Sequence, residues 1–258
     1  ALLSRLGVQA ESPSAPLLAR LQHAWTLTQP FHNLDLLAGY GAGDPPLDRR
    51  GGWLRCVEGL GGPCHVQASS FLALLGALGF DAHFAAATIT HPLDHLVVAA
   101  HVGGSSWLCD VGNGHPYTSP FPFDRPVEHR HLGWQVRTTV DRGRLELQQR
   151  TPGAESWRRV WVATADPRRW EDFEDAIGRH HSEVGFGPFL TGLRAVRVLA
   201  DTAWTLRDDV FTEHGAAGHA SRVLDGGHED VLRNAMGLER LPVRRAVEVW
   251  RHNRRAQP

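Results

Sequence analysis

The apolar residues of this chain change their period near Asp81. Before it they recur every three or four positions; after it they alternate, a switch expected of a fold whose helices and antiparallel strands occupy separate stretches of sequence. In "PLLARLQHAWTLTQP", Leu17, Leu18, Leu21 and Trp25 share one helical face after a Ser-Pro-Ser-Ala-Pro start, and Pro30 ends the segment. A second helix is expected from His65 to Leu78, with Phe71, Leu74, Leu75 and Leu78 on one face and Gly79 as its stop. The runs "HFAAATITH", "HLVVAAHV", "SWLCDVG", "GWQVRTTV", "RLELQQR" and "WRRVWVA" then read as short strands divided by Gly, Pro, Asp and Ser. A helix is expected at "DPRRWEDFEDAIGRHHS", capped by Asp166 with Pro167 in its first turn. Strands in "AVRVLAD", "AWTLRDDVFTEH" and "HASRVL" and a helix in "GHEDVLRNAMG" follow. The expected class is α+β: an N-terminal helical bundle over 1–80, a central antiparallel β-barrel-like domain over 81–165 and a C-terminal α/β lid over 166–258.

Composition narrows the function classes. With 258 residues, 42% apolar and 21% charged, the chain has the make-up of an ordinary globular protein. No stretch reaches the roughly 20 apolar residues of a membrane span, and no basic-then-apolar leader is recognisable, so a cytoplasmic location without membrane contact is expected. A net charge of −1 with scattered arginines argues against a nucleic-acid partner. All 27 basic residues are arginine, which removes Schiff-base and lysine-base chemistry. Three cysteines without a secretory signal are expected to be reduced thiols. The 16 histidines do not imply a metal: His180 and His181 are adjacent and diverge, and Pro92 interrupts the spacing of His91 and His95.

The residues that carry chemistry start at "GGPCHVQASSFLALLGALGF". Gly61, Gly62 and Pro63 force a turn, and the helix behind them points unpaired backbone N–H groups and its positive end at Cys64. A thiol so placed needs a base, and the base needs a carboxylate to orient it. His95 opens one strand and Asp110 closes the next; if the two strands form a hairpin across "GGSS", these side chains meet at the same edge, whereas His101 lies near the turn. Singly, each has a plainer explanation. Cysteine often packs as a small hydrophobe, which suits Cys56 and Cys109, and Asp110 before "VGNG" is an ordinary turn residue.

At these residues the chain resembles the arylamine N-acetyltransferases and the related amide synthases of ansamycin-type antibiotic pathways. "PFHNLDLLAG" is similar to the family's early Pro-Phe-Glu-Asn-Leu-Asp segment, with His32 in place of Glu. "GGPCHVQASSFLALLGALGF" resembles its Arg-Gly-Gly-x-Cys block, "DHLVVAAHV" its His-bearing strand, and "WLCDVGNGHPYTSPFPFD" its Trp-Leu-Val-Asp-Val-Gly-Phe-Gly block. "GFGPFLTGLRAVRV" and "HEDVLRNAMGLERLP" are similar to later segments. The resemblance implies a catalytic triad of Cys64, His95 and Asp110 and an acceptor pocket lined by Phe31, Gly114 and Phe189, with Phe121 and Phe123 better explained as core. Leu60, Val66, Ala68 and Asn113 depart from the family's Arg, Glu, Asn and aromatic residue, so the support around the thiol must be rebuilt or be missing. "RRGG" at 49–52 mimics the motif but carries Leu54 where the cysteine belongs.

The resemblance implies an N-acyltransferase that moves an acyl group from a coenzyme A or acyl-carrier-protein thioester through an acyl-cysteine to a small-molecule amine, with no permanently bound cofactor. The departures point to a diverged amide synthase of secondary metabolism. A classical acetyl-CoA-dependent arylamine N-acetyltransferase, a cysteine hydrolase and a non-catalytic ligand binder are the alternatives.

Overall fold

The computed structural model describes residues 1–43, 45–151 and 153–256. After helix α1 (Leu2–Leu6), the Ser14 hydroxyl accepts the Leu17 N–H and Pro16 sits in the first turn of α2 (Ala15–Thr28), a start that leaves few unpaired N–H groups. A two-residue strand β1 (Phe31–His32) leads into α3 (Leu34–Gly39) and α4 (Arg49–Val57). Helix α5 (Cys64–Ala77) begins at the cysteine, and ten of its residues are buried. The strands β2 (Asp81–Thr88), β3 (His95–Val102), β4 (Ser105–Cys109), β5 (Phe121–Pro122), β6 (Glu128–His131), β7 (Trp134–Asp141), β8 (Arg144–Arg150) and β9 (Arg158–Thr164) follow.

A 3-10 turn (Trp170–Phe173) runs into α6 (Glu174–Ser182). The expected cap at Asp166 is not there: its carboxylate accepts the Thr164 hydroxyl at 2.9 Å, while Arg168 N–H bonds Phe84 O and holds the chain extended. Asp172 instead accepts the Arg169 N–H at 2.9 Å, so the helix starts later than the sequence pattern indicates. The chain then forms β10 (Arg194–Val198), β11 (Thr202–Arg207), β12 (Val210–Gly215), β13 (Gly218–Val223), a helical turn α7 (His228–Asp230) that widens into a π-turn (Val231–Ala235), and α8 (Val243–Arg255). Helices α1, α3 and α4 fall inside the region expected to be a helical bundle without having been placed singly, and α8 lies where the sequence reading placed no element.

The class is α+β. Eight strands form a curled antiparallel sheet in the order β5-β4-β3-β2-β9-β8-β7-β6, an open half-barrel with β5 and β6 as its edges. A five-stranded sheet runs β1-β10-β11-β12-β13, so the strand at Phe31 pairs across the sequence with Val196. Buried residues cover both faces of β3: Leu96, Val98 and Ala100 pack with Phe71, Leu75 and Trp25, while Val97 and Ala99 pack with Leu108, Phe121 and Trp161. That double burial explains why β3 is almost continuously apolar. Trp250 and Val247 of α8 join Leu34, Leu37 and Leu206 in a further core, which ties the C-terminal helix to α3 and the smaller sheet. Among the described residues no helix is long and apolar enough to cross a membrane.

Candidate active site

Two glycines set the approach to Cys64. Gly61 has φ +62°, and a Cβ there would lie 1.9 Å from the Pro30 carbonyl oxygen, so only glycine fits. On the opposite side Gly112 lies against Cys64, where a Cβ would stand 2.5 Å from the cysteine Cα. The loop after β4 is thereby pressed onto the first residue of α5.

The hairpin between β3 and β4 turns at Gly103 and Gly104, both with positive φ, and pairs Val98 with Cys109 and Val102 with Ser105. Continued past Cys109, that register brings Asp110 beside His95. The imidazole Nε2 lies 2.9 Å from Asp110 Oδ1, with His95 and Asp110 only 3% and 2% exposed. The second carboxylate oxygen accepts the Trp161 indole N–H at 2.8 Å. Trp161 pairs with Leu147 in the regular part of the β8–β9 ladder, beside a bulge: Gln148 faces Arg159, which leaves Val160 as an extra residue. Burial pulls the His95 pKa down, but the Asp110 charge and hydrogen bond, with added hydrogen-bonding and charge contributions from Cys64, hold it well above the ordinary value. The turn before His95 is fixed by Asp94, whose carboxylate accepts the N–H groups of Ile89, Thr90 and His91.

Cys64 and His95 border a cavity of about 430 Å³. Phe31 and Phe189 line it with ring centroids 6.3 Å apart; Gly114 lies behind Phe31, its Cα against that ring, and the neighbouring Asn113 and His115 face the cavity. Asn33 positions Phe189: its amide donates to Phe189 O and Gly192 O, and its oxygen accepts from Arg194 N. Phe121 is 1% exposed among core residues, as core packing required. Cys56 and Cys109 are fully buried; burial pushes the Cys56 thiol up to about 12 and raises that of Cys109 as well.

Around Leu60, Val66 and Ala68 the chain is held by other side chains. Gln67 donates to Gly62 O at 2.8 Å and accepts the Trp25 indole N–H at 3.0 Å, which braces the turn before the cysteine. His32 bonds Leu60 O at 2.8 Å, and Gln29 donates to Cys56 O. Val66 and Leu60 are buried apolar residues. Residues that sequence reasoning missed include Trp161, Asn33, His180 and the arginines Arg158, Arg159, Arg194 and Arg207, all four of which border the cavity. Only the bulge reveals the arginines of β9, and only the pairing of β1 with β10 reveals Asn33. Among the described residues no group of three or more His, Cys, Asp or Glu side chains is arranged to hold a metal ion.

The sequence model of the N-acetyltransferase family matches residues 15–241. No curated protein matches the chain in sequence. The fold is similar to solved structures of arylamine N-acetyltransferases. The Mycobacterium smegmatis protein superposes with a TM-score of 0.79 at 24% identity, over 96% of this chain and 97% of that one. The Salmonella typhimurium protein gives 0.83 at 19% identity, over 97% of each chain. The Mycobacterium marinum protein in complex with CoA gives 0.78 at 22% identity, over 98% of this chain and 97% of that one.

Proposed function

Because the chain belongs to the arylamine N-acetyltransferase family, we propose that it is an N-acyltransferase in which Cys64 carries the acyl group between a thioester and an amine. The observation that supports this most directly is the buried His95–Asp110 pair beside Cys64 at the head of α5, in one cavity. In this reading His95 takes the thiol proton and the sulfur attacks the thioester carbonyl. The new S–C bond forms, the donor's C–S bond breaks, and His95 returns the proton to the leaving thiol. An amine then attacks the acyl-cysteine, gives its proton to His95, and leaves as the amide while Cys64 recovers the proton. Asp110 fixes the ring in the tautomer and orientation that both half-reactions need.

Coenzyme A is the natural donor to test first, since the Mycobacterium marinum relative was solved in complex with it. An amide synthase using a carrier-protein thioester rests on the departures at Leu60, Val66, Ala68 and Asn113, of which Asn113 alone borders the cavity. Incubation of the wild type and Cys64→Ala with acyl-CoA and acyl-pantetheine thioesters, followed by intact-protein mass spectrometry, tests the reading. One acyl mass on the wild type and none on the variant supports it, and the chain length loaded separates acetyl from longer-chain function. Turnover that needs no amine would make the protein a hydrolase, and no adduct with any thioester would make it a ligand binder.

A further inference from the structure

His180 is a buried imidazole that the acyl-transfer steps leave unused. It sits on α6, is 8% exposed and borders the thiol cavity together with Cys64 and His95. Each of its ring nitrogens faces a backbone carbonyl: Nδ1 stands 3.2 Å from Phe186 O, and Nε2 stands 3.4 Å from Asp94 O. The two carbonyls belong to opposite margins of the site. Asp94 closes the turn that precedes His95, and Phe186 lies in segment 183–189, which leads to the cavity wall at Phe189.

Segment 183–189 runs between α6 and β10 outside any helix or sheet strand, so side chains have to hold it. Asn33 holds its end through Phe189 O, and His180 meets its middle. Gly187 has φ +73°, and a Cβ there would lie 3.0 Å from His180 Cε1 and 3.2 Å from Nδ1, so the backbone is pressed onto the ring. The Phe186 and Phe189 rings stand 4.8 and 4.9 Å from that of His180, with Phe189 edge-on at 71°. Phe186 is packed in turn by His91, stacked at 4.9 Å, and by the Arg179 guanidinium, 3.9 Å from the ring centre. A neutral imidazole has one N–H and can donate to only one of two carbonyls. Burial, the largest influence on the His180 pKa, lowers it, and the His95 charge acts in the same sense against the two carbonyls and the Asp94 charge. At neutral pH the ring therefore keeps a single N–H, and the shorter contact assigns it to Nδ1, donating to Phe186 O.

We propose that His180 is a positioning residue for the acceptor: by donating its Nδ1–H to Phe186 O it fixes the segment that carries Phe189, and so sets the slot between the Phe31 and Phe189 rings. The proposal deepens the acyl-transfer reading and rests on it only for the name of the reaction. Without the bond the Phe186 carbonyl is left buried and unpaired, and Gly185 and Gly187, both at positive φ, let the segment turn away. An aromatic ring entering beside the thiol then loses one of its two walls. Cys64, His95 and Asp110 sit on other elements and keep their places. Asparagine carries an NH2 where the imidazole has Nδ1, and glutamine carries one where it has Nε2, so these two substitutions separate the contact to Phe186 from the contact to Asp94.

Two maleimides read the slot without turnover. N-methylmaleimide reports the thiolate at Cys64, whereas N-phenylmaleimide must also seat an aromatic ring beside it. Peptide mapping confirms the site of addition, and rates with free cysteine correct for intrinsic reactivity. In His180→Gln and His180→Leu the phenyl-to-methyl rate ratio should fall about tenfold, the scale of one lost buried hydrogen bond, with the methyl rate within about threefold of wild type. His180→Asn, which keeps the donor to Phe186 O, should hold the ratio within about twofold of wild type. Thermal melts establish that each variant is folded, and the Gln and Asn pair decides the matter if the Leu variant is not. Where acetyl loading occurs, the KM for 4-chloroaniline should rise in the same order while the rate of loading stays unchanged. Equal ratios in all four proteins would overturn the proposal. So would rescue by Gln with failure of Asn, which would put the proton on Nε2 and the tie at Asp94, or a methyl rate that falls as far as the phenyl rate, which would make His180 a support of the catalytic residues instead of the wall. A shifted ratio in a protein that loads no acyl group upholds the tie and removes only the reading of the reaction.

Discussion

Asp110 has both oxygens committed, one to the His95 ring and one to the Trp161 indole, and this divides its labour in a testable way. Asparagine is the same shape but offers one acceptor oxygen where two donors converge, so either Trp161 or His95 is left facing an N–H group. The negative charge that holds the His95 pKa up is lost as well. Asp110→Asn should therefore lower kcat/KM about 10²–10⁴-fold, the scale seen when the group orienting a catalytic imidazole is removed. The acidic limb of its pH–rate profile, set by the ring that must be unprotonated to take the thiol proton, should move to lower pH, because the imidazolium form no longer has its anionic partner. Trp161→Phe leaves the charge in place and removes one hydrogen bond to it, so it should cost about 1.5–3 kcal/mol of stability with a smaller kinetic loss. A kcat/KM for Asp110→Asn within about threefold of the wild type, far short of the loss expected for an orienting group, would mean that the carboxylate only braces the fold.

Elements carry the site because two of them touch at backbone level: the start of α5 and the loop after β4. Gly112 lies outside the positive-φ region, so alanine there is conformationally ordinary and its only penalty is the 2.5 Å approach to the Cys64 Cα. Gly112→Ala should therefore push the thiol away from His95, abolish most acyl loading and cost about 1–3 kcal/mol by overpacking. Gly76→Ala, near the end of the same helix with nothing within 4 Å of the added methyl, should instead stabilise by about 0.5–1 kcal/mol. Equal melting temperatures for the two variants would refute this account of the contact. The element scale is also where the sequence was most and least legible. Strands β2, β3, β4, β7, β8 and β9 all fall on short apolar or alternating runs whose bounding turn residues were readable, and the β3–β4 hairpin register follows from its Gly-Gly turn. Helix α8 escapes a sequence reading although Val243, Ala246, Val247 and Trp250 have helical spacing, because arginines crowd the stretch and only packing on α3 shows which face is apolar. The cavity's arginines could not be foreseen: Arg158 and Arg159 depend on a bulge, and Arg194 and Arg207 on a sheet that β1 completes from far away in sequence.

Over the whole molecule the histidines set how stability depends on pH. His65 is 3% exposed at the second position of α5, packed 5.5 Å from the His181 ring, with its Nε2 unpartnered. Burial, then the charges of His181 and His180, would oppose its protonation and bring its pKa down to about 3. Burial likewise brings His181 and His214 down to about 4, and lowers those of His32, His115 and His180. The unfolded chain takes up protons on these rings as pH falls through the ordinary histidine value near 6.5, whereas the folded chain does not until the depressed values are reached. Folding is therefore penalised progressively between about pH 6.5 and 4, by up to about 1.4 kcal/mol per pH unit for each fully buried ring. His95 acts with the opposite sign: its raised pKa adds stability that is complete below about pH 6.5 and is lost as pH rises through the folded value. One such group is outnumbered by the depressed ones, so net stability should climb from about pH 4.5 to about pH 7. Urea midpoints taken at intervals across that range measure this slope, and His65→Leu should flatten it by close to one proton's worth. A slope that His65→Leu leaves intact would show that this ring is already protonated in the native state, and with it that the α5–α6 junction is wetter than its packing implies.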